Sequence, residues 1–369
     1  MKPIYRADHV GSFLRPTYVL QARERCAAGE ISAQELEGIE DKAIRDVLAM
    51  QREIGMPILS DGELRRESWS SGPAAAIEGF VDSDATVTWT GPDGKRVEEL
   101  AHSVYAVSKL RLRRRITGVE SGFLRKEAGG PYKVTMPSPA LAAFMFFKPG
   151  MAPGIYDTPD ELMQDLIEIQ KTEFTALVAD GAAYLQIDEG FTPYVGDDWR
   201  AQMKSAGMDP DKALSRVIDA ENQLYASVPR DRVTLAIHIC RGNSRSRYVF
   251  SGGYEAMAEQ VFNRLQVDRF LLEYDSERAG GFEPLRHLPK GKVAVLGLIT
   301  TKSGAMETED LLLRRIEEAA RYVPIEQLAL SPQCGFASVK EGNNIAFDEQ
   351  RRKLELTVKV AEKVWGSLV

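Results

Sequence analysis

The stretch Thr234-Leu-Ala-Ile-His-Ile-Cys240 decides how this chain is read. It is a short apolar run of strand length. In an extended strand alternate side chains share a face, so His238 and Cys240 project together. Seven further runs of the same kind are ADHVGSF (7–13), PILSD (57–61), KVTMPSP (133–139), YLQIDE (184–189), RFLLEY (269–274), VAVLGLI (293–299) and LALSP (328–332). Helix-length amphipathic stretches lie between them. Residues 32–55 open on Ser32 with Glu35 three positions on, a capping box. Residues 158–181 offer Thr158 as N-cap, Pro159 at the first helical position and Gly181 as the stop. Residues 306–323 and 347–368 carry apolar side chains at helical spacing, the second as a closing helix. Eight strands alternating with helices predict an α/β chain folded as a (β/α)₈ TIM barrel. A doubly wound open sheet shows the same alternation, and counting strands does not separate the two.

One segment breaks the alternation. Residues 82–132 hold DATVTWTGPDGKRVEEL, a β-hairpin pattern about Pro92-Asp93-Gly94, and continue through VSKLRLRRRITGVESGFLRKEAGG. This is an insertion in a single catalytic domain spanning 1–369, covering one rim or contacting another subunit, so a homo-oligomer is compatible with it. Its Arg111, Arg113, Arg114 and Arg115 form either a solvated face or a grip for an anionic substrate tail.

The bulk numbers exclude several classes. With 369 residues and 44% hydrophobic content, the chain has the apolar mass for a large core. A net charge of -7 argues against nucleic acid and anionic membranes as partners. No apolar run reaches the roughly 18 residues of a membrane span. The N-terminal MKPIYRADHV lacks the apolar centre of a signal peptide. Three cysteines do not suggest a disulfide framework, so the cytoplasm is the expected compartment.

The chemistry gathers on rare residues. His238, Cys240 and Cys334 include two of three cysteines and one of four histidines. Cys334, in LALSPQCGFAS, follows the last strand and would lie beside the first in a closed barrel. A histidine and two thiolates form a zinc ligand set, and a catalytic zinc keeps one exchangeable position. Buried cysteines with a satisfied core histidine would give the same pattern. Glu273, at the end of RFLLEY, is the natural fourth ligand, because a carboxylate in an apolar run is costly unless paired or metal-bound. Pairing with an arginine such as Arg278 is the alternative. Cys26 sits in a helical pattern and reads as a packing or surface residue.

At these residues the chain resembles the catalytic barrel of cobalamin-independent methionine synthase. The shared motifs, in order, are HVGSF, SDGELRRESW, LQIDEG, HIC, LLEYDSE and SPQCGF. The resemblance implies a (β/α)₈ barrel and zinc bound by His238, Cys240, Glu273 and Cys334. It also implies an amino-acid thiol site in which Ser12 contacts the carboxylate while Glu63 and Asp188 take the ammonium group. The implied reaction is methyl transfer to homocysteine in methionine biosynthesis, as by a 5-methyltetrahydropteroyltriglutamate–homocysteine S-methyltransferase, with a methyl-folate or a corrinoid carrier as donor. The donor's leaving group needs a proton. His9, beside Gly11 and Ser12, is the candidate to supply it, with a structural rim histidine as the alternative. Three departures stand out. The N-terminal barrel of the long enzymes has no counterpart, which puts folate use in doubt. Asp-Glu-Pro is Asp-Glu-Gly at 188–190. The hairpin insertion and the gap between Cys240 and Glu273 also differ. Related single barrels include epoxyalkane:coenzyme M transferases, for which Arg241, Arg245 or the 111–115 arginines would suit a sulfonate.

Overall fold

The computed structural model describes residues 2–189, 191, 194 and 197–369. Its helices are α1 (Thr17–Ala27), α2 (Ala33–Glu53), α3 (Ser71–Ala76), α4 (Gly118–Glu127), α5 (Pro139–Phe146), α6 (Pro159–Ala179), α7 (Asp197–Ser205), α8 (Pro210–Tyr225), α9 (Glu255–Arg264), α10 (Glu309–Ala319) and α11 (Phe347–Trp365). Its strands are β1 (Ile77–Thr90), β2 (Arg96–Leu112), β3 (Lys133–Pro137), β4 (Tyr184–Glu189), β5 (Thr234–Ile239), β6 (Arg269–Glu273), β7 (Val293–Ile299) and β8 (Leu328–Pro332). Strands β3 to β8 form one sheet in sequence order, every neighbouring pair parallel. Parallel neighbours need crossover connections, and α6, α9 and α10 supply such helices.

Local chemistry explains where the helices begin. Ser32 and Glu35 exchange the two hydrogen bonds of a capping box at the start of α2. Thr158 and Glu161 do the same for α6, with Pro159 where its missing N–H costs nothing. Gly181, at φ +90°, turns the chain just past α6.

The sheet is buried on both faces, as a parallel sheet requires. One parity of its strands, including Val134, Leu185, Ile237, Leu272, Leu296 and Leu330, packs in a large apolar cluster with helix residues such as Leu166, Phe174, Phe262 and Ile316. The other parity, including Tyr184, Ala236, Leu271, Val295 and Ala329, forms a separate smaller cluster with Tyr5, Val10 and Ile58. Lys133, Thr135, Gln186, Asp188, His238, Arg269 and Glu273 all lie on this second face.

The first two expected strands form differently. Residues 7–13 touch the sheet through one parallel bridge, Ala7 to Leu330, and residues 57–61 through another, Leu59 to Tyr132. The Ser60 N–H, which a ladder would use, donates instead to the Gln51 side chain at 3.0 Å. The Ser60 hydroxyl in turn accepts from the Gly62 N–H. Side chains have replaced the ladder there.

Strands β1 and β2 pair as an antiparallel hairpin longer than expected, from Ile77 to Leu112. Its turn falls at the expected place, where the Gly91 N–H donates to the Lys95 carbonyl at 2.8 Å. The Thr90–Tyr248 bridge ties it to the loop after β5. Arg115 pairs with Glu173 and Asp180, and Arg113 faces Glu78. Among the described residues no helix is long and apolar enough to cross a membrane.

Candidate metal centre and the acids beside it

Four side chains converge where β5, β6 and β8 end. The ligand atoms of His238, Cys240, Glu273 and Cys334 all lie within 4.8 Å of one another. Both cysteines are free thiols, their Sγ atoms 3.7 Å apart. His238 is the last inward-facing residue of β5. Its Nδ1 is 3.2 Å from the Leu271 carbonyl, which only accepts, so Nδ1 carries the proton. That leaves Nε2 as a bare lone pair, buried and without a partner. Glu273, fully buried at the end of β6, accepts from the Arg241 N–H at 3.0 Å and from the Arg278 guanidinium at 3.2 Å. Cys334 lies in the loop after β8, which Asn243 ties to the Cys240 loop by donating to the Gly335 carbonyl at 2.7 Å.

The charges expose what is missing. The Cys334 thiol, burial and the Glu273 charge push the Cys240 thiol well above its usual range. Burial would raise Glu273 too, but Arg278, Lys302, Arg241 and His238 outweigh it and hold the carboxyl low. Burial would lower His238, but its contacts with Cys240, Asp188 and Glu273 raise it. A lone pair, two sulfurs and a carboxylate, three of the four residues buried and Cys240 half-buried, are a donor set that a cation would satisfy. Two sulfurs on one tetrahedral zinc stand about 3.8 Å apart, matching the 3.7 Å observed. The N, O and two S donors suit zinc. The bonds to Leu271 and Arg241 are the outer partners that orient such ligands.

Beside the cluster lie the acids. Asp188 is paired in register with His238 across β4 and β5. Its carboxyl is pushed up to about 6, by burial first and by the Glu63 charge, against His238. Glu63 accepts from the Thr135 hydroxyl at 2.8 Å through Oε1, while its buried Oε2 has no partner. Its backbone is left-handed, φ +58°, which costs a non-glycine residue on the order of 1 kcal/mol or more. Asp61 accepts the Glu63 N–H, and Arg15 donates to the Glu63 carbonyl. Two glycines make room here. A Cβ on Gly11 would stand 2.6 Å from Glu63 Oε1, and one on Gly335 would stand 1.9 Å from Ser12 Oγ. Ser12 is therefore pressed against the Cys334 loop, and its carbonyl accepts the Phe336 N–H at 2.7 Å.

The structure thus brings Ser12, Glu63 and Asp188 to the same end of the sheet as the four donors. It sets His9 among structural partners. The His9 Nε2 faces the Gln51 side chain at 2.9 Å and Ser60 at 3.3 Å, and the ring packs edge-on against Phe13. Burial and the Lys133 ammonium hold it down to about 4, so it is neutral at pH 7. A neutral ring tied to α2 is poorly suited to deliver a proton; it suits the structural rim role. Gly190, the departure from Asp-Glu-Pro, lies outside the described residues. Cys26 is half-buried on α1, away from this end.

Sequence reasoning missed Arg66, Lys133 and Gln186. Arg66 is buried, holds Glu120 with two bonds at 2.7 and 2.8 Å, and approaches Glu63 at 3.8 Å. Gln186 carried a signal: in YLQIDE it shares strand parity with Asp188.

A mostly parallel α/β sheet, with a His/Cys/Glu/Cys group that could hold a metal at its C-terminal strand ends, is consistent with a barrel-like catalytic domain. The chain belongs to the family of the cobalamin-independent synthase catalytic domain, whose model matches residues 156–363. It is 37% identical to the uncharacterized protein YxjH of Bacillus subtilis over 99% of this chain and 96% of that one. It is 23% identical to the methionine synthase of Pyrococcus abyssi over 90% of this chain and 86% of that one. Among solved structures it resembles a putative vitamin-B12 independent methionine synthase from Listeria monocytogenes, with a TM-score of 0.76, 30% identity and coverage of 100% and 99%.

Proposed function

We propose that this chain is a zinc-dependent S-methyltransferase that moves a methyl group onto the thiol of homocysteine to give methionine. The observation that carries the reading is the convergence of His238, Cys240, Glu273 and Cys334 around an orphaned histidine nitrogen. Family membership supports methyl transfer. We also read the chain as one catalytic domain in which residues 7–13 and 57–61 close the six-stranded sheet into a (β/α)₈ barrel. The two parallel bridges and the Phe13 N–H to Gly62 carbonyl bond, 2.9 Å, support closure. The hairpin is an insertion in that domain.

His238, Cys240, Glu273 and Cys334 would hold the zinc, which when bound would supply the positive charge that lets a substrate thiol ionise at neutral pH. The protein does the rest by placement. Glu63 and Asp188 receive the substrate's ammonium, Glu63 through its unpartnered Oε2. Ser12 receives its carboxylate. The sulfur, so fixed, would take the methyl carbon, and the electron pair of the breaking bond would stay on the donor. The thiol proton leaves to solvent, and a folate nitrogen would take one proton back from solvent while a corrinoid cobalt would need none.

The coenzyme M alternative fits these residues less well. A sulfonate needs free cations, but Arg241 is buried and bonded to the Gly252 carbonyl and the Tyr254 hydroxyl, and Arg245 pairs with Glu341. Two buried acids would repel a sulfonate. The test is methionine formation by zinc-loaded protein from homocysteine with methyl-tetrahydrofolate or methylcobalamin. Methionine from either donor supports the reading. Alkylation of coenzyme M by an epoxide, with none of homocysteine, overturns it.

A further inference from the structure

The Gln186 amide lies between the two halves of the amino-acid site. Its Nε2 donates to the Asp188 carboxylate at 2.8 Å and to the Val10 carbonyl at 2.5 Å. Val10 is two residues before Ser12, so one amide group touches both the ammonium side and the carboxylate side. Its Oε1 accepts from the Lys133 ammonium at 2.9 Å. Lys133 also donates to the His9 carbonyl and, at 2.9 Å, to Asp8. Both side chains are fully buried.

Only one orientation of this amide is tolerable. Rotated by half a turn, its oxygen would face the Val10 carbonyl and the Asp188 carboxylate, and its NH₂ would face an ammonium. Three good bonds would become three repulsions. Lys133 therefore fixes which way Gln186 points, and Gln186 fixes Asp188 Oδ1 and the segment that leads to Ser12. A fully buried lysine is an expensive way to brace a strand, and an apolar side chain would fill the space more cheaply. Lys133 serves two partners at once, the Asp8 charge and the Gln186 amide oxygen.

We propose that Gln186 and Lys133 are positioning residues that set the spacing between the ammonium and carboxylate contacts, and so select a thiol bearing an α-amino acid group. The inference rests on the amino-acid site proposed above. Its test is isothermal titration calorimetry of zinc-loaded protein with homocysteine and with 4-mercaptobutyrate, which keeps the thiol and carboxylate but lacks the amine. Wild type should prefer homocysteine. Gln186→Glu keeps the shape and the Lys133 bond but loses both donors, and it should shrink that preference by roughly 10- to 100-fold. Zinc content should change little, while Tm falls because an oxygen now faces the Val10 carbonyl and Asp188. Gln186→Leu is the second variant if the first does not fold. An equal loss of affinity for both thiols, or an unchanged preference, would overturn the positioning role while leaving the amino-acid site intact. A wild type without preference would overturn the amino-acid site itself, and the positioning role with it.

Discussion

Two buried polar clusters occupy opposite ends of the same strands, and they are satisfied in different ways. At the starts of β3, β4 and β6, Lys133, Tyr184 and Arg269 surround Asp8. Lys133 Nζ and the Tyr184 hydroxyl each stand 2.9 Å from its carboxylate, and Arg269 stands 3.3 Å away. Cation answers anion and donor answers acceptor. At the other end His238, Cys240, Glu273 and Cys334 meet as donors of electron pairs, with the His238 Nε2 unanswered. Burial is equally costly at both ends. The first cluster meets its charges within the chain, with the buried Arg269 Nε lacking a partner. The second is incomplete within the chain, so it is built to receive something.

The contrast breaks most visibly at Lys133. Lys133→Met leaves Asp8 short of its main counter-charge and should destabilise the fold by about 3 kcal/mol, read by urea unfolding. Cys240→Ser should do the reverse. Its stability should change little, while zinc affinity, read by competition with a chelator, should fall by more than about 100-fold, since even outer partners cost 10- to 100-fold.

A third outcome sharpens the comparison through pH. Burial and the Glu120 charge push the Asp61 carboxyl up to about 7, against the pull of Arg66. The folded state therefore holds a proton that the unfolded chain releases near its ordinary value. The stabilisation is complete below about pH 4 and is lost as pH rises toward 7. Relative to wild type, Asp61→Asn should gain on the order of 2 kcal/mol between pH 4.5 and 8, read by urea unfolding at both. A constant difference would place no such proton there. The smallest effect is at Glu63. Glu63→Gln keeps the shape but not the charge, and should raise KM for homocysteine about tenfold with kcat less affected.

The alternation of apolar runs was enough to locate all six strands of the parallel sheet, because buried strands between amphipathic helices leave few other readings. The four clustered donors were visible because cysteine and histidine are rare here and each lay just at a strand end. Residues 7–13 and 57–61 misled because their apolar pattern records burial, while the Gln51 side chain that takes the Ser60 N–H comes from a helix. The surroundings of His9 were hidden for a related reason. Proximity to Gly11 and Ser12 in sequence says nothing of which way the ring turns, and Gln51 turns it toward α2. Lys133 was unreadable because its meaning lies in partners on two distant segments, Asp8 and His9 on one and Gln186 on the other.

The central claim is that the four donors form one metal centre. Its most direct test is zinc content by mass spectrometry after dialysis against a weak chelator, for wild type, His9→Asn and Cys334→Ser. The account predicts about one zinc per chain in wild type and His9→Asn, and none in a folded Cys334→Ser. Zinc-free wild type, or zinc retained in all three, would contradict it.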